Sequence, residues 1–283
     1  MEAIDLPARF DDELQKKLQA LEPSRRKRVL SKLITAALGS IPWIGGFLAA
    51  AQAYKEEEGQ IYTDNLQRQW LEEHKVRLEA LARDLAEIVN RLDSLGDELH
   101  DRIESDEYLA LVRKAFRSWD QADTDLKREY VKRLIANAGA STLCPDDLVR
   151  LFLDWLDRYH EAHFMVIREI YKNPGVTRHN IWASVRGEFP RDNSSEADLF
   201  RMLIGDLSTG RVIRQIRDTN IHGQFLTKKR GKSPSPGVLK SAFDDVEPYE
   251  LTELGREFVH YVFQDVVTRI DDQTKRASPK TNQ

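Results

Sequence analysis

Hydrophobic positions recur at helical spacing along most of the first 170 residues. The clearest repeat lies in the polar stretch from Asp64 to Glu104, where intervals of three and four alternate from Leu78 onward, an a/d heptad seam. We expect one long helix whose seam joins subunits of a homo-oligomer, with packing inside a helical bundle as the alternative. The seam residues are Leu78, Leu81, Leu85, Ile88, Leu92, Leu95 and Leu99.

A different pattern lies N-terminal to the seam. Leu33 to Tyr54 is 22 residues without a charge, in a chain that is 32% charged. A proline and several glycines interrupt it, and these residues disfavour a continuous helix. We therefore predict two short helices, about 29–38 and 42–54, hinged at 39–41, each too short to span a bilayer. They either fill a bundle core or enter lipid, and the candidate residues are Ile41, Trp43, Ile44, Phe47 and Leu48.

Helical periodicity continues to about residue 171, and no strand pattern precedes residue 210. Three further helices are predicted at about 107–119, 124–137 and 145–171. A short helix over 176–185 follows, with Thr177 as its N-cap. Ser195 and Asp198, at capping-box spacing, begin the next helix.

The C-terminal part changes character. Residues 211–216 predict a strand, and a polar excursion over 218–246 leads to a second strand at 248–251. Thr252 then caps a final helix, 253–270. The segments LSTGRVIRQ and YELTELGREFV resemble the end of the recognition helix, the wing strands and the closing helix of winged-helix domains of the MarR and PadR types. The resemblance covers about residues 160–270 and implies a winged helix-turn-helix whose inter-strand excursion is longer than a tight wing.

The N-terminal half carries a second resemblance. An apolar, glycine-containing helix pair followed by a long heptad helix is similar in architecture to the helical-bundle death effectors of the HeLo and mixed-lineage-kinase-like type, over about residues 1–140. The basic residues of 25–32 precede the apolar pair and suit anionic headgroups. This resemblance implies a hairpin that is sequestered in the bundle until a signal releases it onto a membrane.

Length and composition limit the number of domains, the fold class and the cellular location. At 283 residues, two domains are expected, an all-α helical bundle over 1–158 and a winged-helix domain with a polar tail over 159–283. The fold class is therefore mainly α. The single cysteine, Cys144, and the acidic opening without a secretory signal predict a cytoplasmic protein that is membrane-associated when activated.

Charge is distributed unevenly along the chain. The net charge is −4, yet residues 201–240 hold nine Lys/Arg against two acids. Such a basic stretch favours phosphate contact with duplex DNA, whereas the acids on the predicted recognition helix favour a protein partner. The candidate nucleic-acid or partner-binding residues are Arg201, Arg211, Arg214, Arg217, Lys228, Lys229, Arg230 and Lys232.

Catalytic signatures were sought and not found. His160 and His163 are spaced i, i+3 rather than the i, i+4 of a zincin helix, with no third ligand, so we assign them a structural role. Cys144 has no identifiable base, and no phosphate-binding glycine loop occurs. We therefore expect no enzyme activity, no cofactor and no metal.

Three functions fit these patterns. The leading hypothesis is a non-enzymatic, two-part effector of bacterial defence, in which the winged helix senses or docks a partner and the bundle perturbs membranes or self-assembles. The first alternative is a DNA-binding transcriptional regulator that dimerises through its helical domain. The second is a protein–protein adaptor.

Overall fold

The computed structural model describes residues 25–56, 65–94, 99–141, 144–216 and 241–263. These residues are mainly helical, as the periodicity predicts. They fall into two compact units, whose described parts lie within 25–157 and 158–263. Several predictions concern residues outside the described ranges: the end of the helix over 253–270, and Leu95, Arg217, Lys228, Lys229, Arg230 and Lys232.

Seven helices are described in the N-terminal unit. They are α1 (Arg25–Leu38), α2 (Pro42–Glu56), α3 (Asn65–Ser94), α4 (His100–Glu104), α5 (Asp106–Gln121), α6 (Asp125–Ala140) and α7 (Asp146–Arg158). Serine and threonine N-caps begin two of them, because Ser105 accepts from the backbone N–H of Tyr108 and Thr124 from that of Lys127. Helix α5 packs on α1 and α6, and α6 packs on α3.

The predicted hinge is confirmed between α1 and α2, which meet at 88°. Helix α1 is buried at Val29, Leu30 and Leu33, and its polar positions Ser31 and Lys32 face outward. It packs on α4 and α5, whereas α2 packs on α3. The apolar stretch therefore bends around the bundle and does not form one straight rod.

The heptad helix supplies much of the core. Its leucines and isoleucine lie 0–3% exposed inside the chain, at Leu71, Leu78, Leu81, Leu85, Ile88 and Leu92. The helix is described as far as Ser94, and His100–Glu104 form the separate short helix α4. The prediction of one helix to Glu104 was therefore wrong, and Leu99 lies half-buried at the N-cap of α4.

A polar network links α3 to the two helices beside it. The Nε1–H of Trp119 donates to Asp84 at 2.7 Å, and Lys132 lies 3.5 Å from the same carboxylate. Burial raises the pKa of Asp84, against the lowering effect of these two partners. Lys132 also binds Glu87 and Glu129, so the half-buried ammonium is surrounded by three carboxylates. These contacts fix the orientation of α3 against α5 and α6.

The C-terminal unit orders its described elements as α8 (Glu161–Lys172), β1 (Val176–Thr177), α9 (Arg178–Val185), α10 (Ser195–Thr209), β2 (Ile213–Gln215), β3 (Pro248–Leu251) and α11 (Glu253–Val262). The strands form an antiparallel sheet in the order β1-β3-β2. In its register Ile213 faces Leu251 and Val176 faces Tyr249. An aromatic cluster of Trp182, Phe200 and Phe243 forms part of the core.

Three local predictions in this region were wrong. The helix expected over 145–171 is two helices, α7 and α8, because the backbone is extended at His160 (φ −85°, ψ 165°). The two-residue strand β1 precedes residue 210, and its pairing with β3 could not be read from two residues. The N-cap of α10 is Ser194, not Ser195, since its hydroxyl accepts from the backbone N–H of Ala197 at 3.2 Å. Thr177 and Thr252 are N-caps as predicted.

Candidate functional site

Helix α2 turns one apolar side inward and exposes the other. Ile41, just before the helix, and Ile44 and Phe47 within it are 1–7% exposed and belong to the core. Leu48 is 41% exposed. The exposed residues, here called the outer face of α2, are Pro42, Gly45, Gly46, Leu48 and Ala49. This face carries no charge, which is unusual for the solvent side of a helix.

Among the described residues, nothing packs against the two glycines of the outer face. A Cβ atom added at Gly45 or Gly46 would meet nothing within 4 Å. Glycine inside an exposed helix costs ~1 kcal/mol relative to alanine. No contact with the described residues accounts for this cost, and a contact outside the described bundle would explain it.

Trp43 anchors the helix to the bundle. Its Nε1–H donates to the Asp120 carboxylate at 2.7 Å, and its ring contacts His74 with centroids 4.9 Å apart. Arg77 lies 3.0 Å from the same carboxylate and 5.8 Å from the Trp43 ring. We call Trp43, Arg77 and Asp120 the hairpin anchor. In this arrangement the indole is half-buried against protein.

Length and apolar composition decide whether a helix could cross a bilayer. Within the described ranges, no single helix is both long enough and apolar enough to cross a bilayer. Only when they are taken together, as a bent pair, do Val29–Leu38 and Pro42–Ala50 have the length and apolar composition of a membrane span.

The predicted oligomer seam is occupied inside the chain. Five of its members, Leu78 to Leu92, are buried within the N-terminal unit, which corresponds to the bundle alternative. A second copy cannot reach them without opening the bundle. The prediction of an oligomer remains a prediction, and its interface has to be sought on another surface.

Helix α10 presents a mixed acidic and apolar surface. Leu199 and Met202 are 42% and 46% exposed, and their i, i+3 spacing places them on one side. Exposed Glu196 and Asp198 and the half-buried Asp206 lie along the same helix. We define the α10 face as Glu196, Asp198, Leu199, Met202, Gly205 and Asp206. A hydrogen bond from its own backbone N–H, followed by those from the hydroxyls of Ser194 and Ser195, holds the pKa of Glu196 below its usual value.

The described basic residues are mostly engaged by neighbouring acids. Arg201 lies 2.8 Å from Asp198 and 3.2 Å from Asp192. Arg214 binds Glu250 at 2.7 Å across the β2–β3 pair. Arg211 is exposed at the end of α10, with φ 60°. The cations predicted for phosphate contact are therefore not gathered on α10, and the other five candidates lie outside the described residues.

The histidine pair has the structural role that was predicted. Nδ1 of His163 accepts the backbone N–H of His160 at 3.1 Å, which satisfies a free amide at the start of α8. The His163 ring is 1% exposed, stacks on Tyr159 and lies 3.5 Å from Asp206. Burial lowers the pKa of His163, against the raising effect of the Asp206 carboxylate. Cys144 is buried as well.

Comparisons with protein-family models, with curated proteins and with solved structures gave no match to this chain. No group of three or more His, Cys, Asp or Glu side chains suited to a metal occurs in the part of the chain that the structure describes.

Sequence reasoning missed two features of these surfaces. The hairpin anchor joins Trp43 to Asp120 across 77 positions, and no local pattern signals such a contact. Leu199 and Met202 continue the apolar periodicity of α10, and that periodicity does not show that they are exposed. The sequence signal that could have indicated an exposed side was Gly205, a glycine in the helix interior on the same side of α10 as Leu199 and Met202.

Proposed function

We propose that this chain is a non-enzymatic, two-part effector. The C-terminal unit is a winged helix that docks a protein partner, and the N-terminal bundle acts through its α1–α2 hairpin by membrane perturbation or self-assembly. The winged-helix assignment is supported by the order α8-β1-α9-α10-β2-β3-α11 and by the central position of β3 in the sheet. In this assignment α10 is the recognition helix.

The observation that carries the effector part is the outer face of α2. This surface is exposed, free of charge and contains two glycines against which no described residue packs. Helix α2 is held against the bundle by the buried side chains of Ile41, Ile44 and Phe47 and by the hairpin anchor. Release of these contacts would present both apolar sides of the helix, which is what a lipid-facing or self-associating segment needs.

The composition of the α10 face favours binding of a protein partner over recognition of DNA. A recognition helix that lies in the major groove approaches phosphates on both sides, and basic side chains favour that approach. Here the helix exposes acids and two large apolar side chains, and its one arginine is bound to two carboxylates. Exposed apolar residues with a polar border are typical of a protein interface.

Leu48→Lys tests the membrane function without disturbing the core, because Leu48 is 41% exposed. We expect the wild-type protein to release dye from vesicles of phosphatidylcholine and phosphatidylglycerol. The variant should lose most of this release, since a lysine at bilayer depth costs ~2.5–3.5 kcal/mol. The matched control is Val76→Lys on α3, at a position 61% exposed, which should leave the release unchanged.

A second variant tests whether the hairpin anchor restrains α2. Asp120→Ala removes the acceptor of the Trp43 N–H and the partner of Arg77, so dye release should increase. Sedimentation without lipid separates self-assembly from membrane perturbation. If neither the wild type nor Asp120→Ala releases dye, forms oligomers or impairs cell growth, the effector function is excluded.

A DNA-binding regulator is the second candidate, favoured by the nine Lys/Arg of residues 201–240. If the basic stretch contacts phosphates, each contact contributes about −0.9 to the slope of log K against log salt. Replacing Lys228, Lys229 and Arg230 together by Ala should then flatten the slope by up to about three such contributions. An unaltered slope would place DNA contact elsewhere, and absence of binding to duplex DNA at low salt would remove this candidate.

A further inference from the structure

We infer that the α10 face binds a cationic amphipathic helix of a partner protein. The inference rests on the proposed docking function of the C-terminal unit and adds the chemistry of the partner. Leu199 and Met202 supply the apolar contact, and Glu196, Asp198 and Asp206 supply the charge. A partner that pairs with all of them must carry apolar side chains on one side and Lys or Arg beside them.

Among the residues that the structure describes, one base is set against the acids of the α10 face. Helix α10 holds three acids and one base, and Arg201 is shared between Asp198 and Asp192 of the preceding loop. Asp192 is further engaged by the backbone N–H of Ala242 at 2.8 Å, which fixes the position of the loop. The α10 face therefore keeps a negative charge beside its two apolar side chains.

Gly205 indicates that the partner element is a helix. It lies in the interior of α10, where glycine costs ~1 kcal/mol relative to alanine, and a Cβ atom there would meet nothing within 4 Å. No packing contact with the described residues of the unit accounts for this choice. A glycine on the exposed side of one helix lets the backbone of a second helix approach closely, with Leu199 and Met202 next to the contact.

Other occupants fit the surface less well. A second copy docked through the same face would oppose three acids with three acids, and like charges in contact are destabilising. DNA and anionic lipid are repelled for the same reason. A cationic amphipathic helix can pack on Leu199 and Met202, pair with the acids and approach the backbone at Gly205.

The test measures binding of the full-length chain to three synthetic, fluorescent 18-residue helical peptides, in which leucine is combined with lysine, glutamate or glutamine. We expect the leucine–lysine peptide to bind tightest, with affinity that falls as salt increases. Leu199→Ala with Met202→Ala should weaken binding at least ~10-fold, and Glu196→Gln with Asp198→Asn about as much at low salt. Gly205→Leu should block binding while the unit stays folded.

Matched controls on other helices of the unit are Met165→Ala and Glu257→Gln, both at exposed positions, and these should bind like wild type. Equal binding by all α10 variants would overturn the inference. Preference for the glutamate peptide would overturn the cationic partner but retain docking, whereas loss of duplex DNA binding in the α10 variants would overturn docking itself. Peptide binding that occurs only when Lys228, Lys229, Arg230 and Lys232 are replaced by Ala would identify the chain's own basic stretch as the occupant and overturn a partner helix.

Discussion

Replacing Leu85 and Leu92 together by Asp is expected to abolish the cooperative unfolding transition of the N-terminal unit. Both leucines are 1% exposed inside the bundle. A buried carboxylate without a partner costs several kcal/mol, and two of them approach the whole stability of a typical domain, about 5–15 kcal/mol. Circular dichroism during thermal unfolding measures the loss.

Val76→Asp is the control, since Val76 is 61% exposed on the same helix and its replacement should leave the transition nearly unchanged. The result also separates the two roles of the heptad seam. A double variant that melts cooperatively but has half the wild-type mass by light scattering would show that the seam is a subunit interface and not part of the bundle core.

The second large effect concerns two helical glycines of the C-terminal unit, for which opposite results are expected. A Cβ atom at Gly255 would overlap the backbone carbonyl oxygen of Val212, which also accepts the N–H of Thr252 at 3.0 Å. Gly255→Ala must displace α11 or the chain before β2, and overpacking of this kind costs about 1–3 kcal/mol. Gly205→Ala should instead stabilise the unit by ~1 kcal/mol, because the site is open.

Urea unfolding followed by hydrogen exchange within residues 158–263 compares the two variants. Equal destabilisation would mean that Gly205 has a packing contact within the chain, and the reason for seeking its contact in a partner would disappear. A neutral Gly255→Ala would contradict the close approach of α11 to Val212.

Much of the architecture was readable from local patterns. The hinge over 39–41, the strand at Pro248–Leu251 and the caps Thr177 and Thr252 follow from interactions among neighbours in the chain. The break at His160 was not readable in the same way. The flanking segments both have helical periodicity, and the cap depends on Nδ1 of His163 instead of a usual Ser, Thr, Asp or Asn.

The candidate surfaces were only half predictable. The sequence singled out the apolar hairpin by its lack of charge, but the pattern could not tell Phe47, which is 1% exposed, from Leu48, which is 41% exposed. It nominated Arg201 and Arg214 by charge alone. Arg201 pairs with Asp198 only three positions away, which a local pattern can show. Its second partner Asp192 and the Arg214 partner Glu250 lie 9 and 36 positions away in the chain, so these two pairs could not be read locally.

The sequence by itself determined the mainly helical class, the heptad repeat, the bend in the apolar stretch and the uneven distribution of charge. These properties depend on residues a few positions apart, whose spacing is set by the period of the helix. Only the tertiary structure decided that the seam lies inside the bundle, that the outer face of α2 is exposed, and that α10 presents acids and apolar side chains. Periodicity states that a helix has an apolar side, but whether that side is covered depends on residues distant in the chain that fold against it.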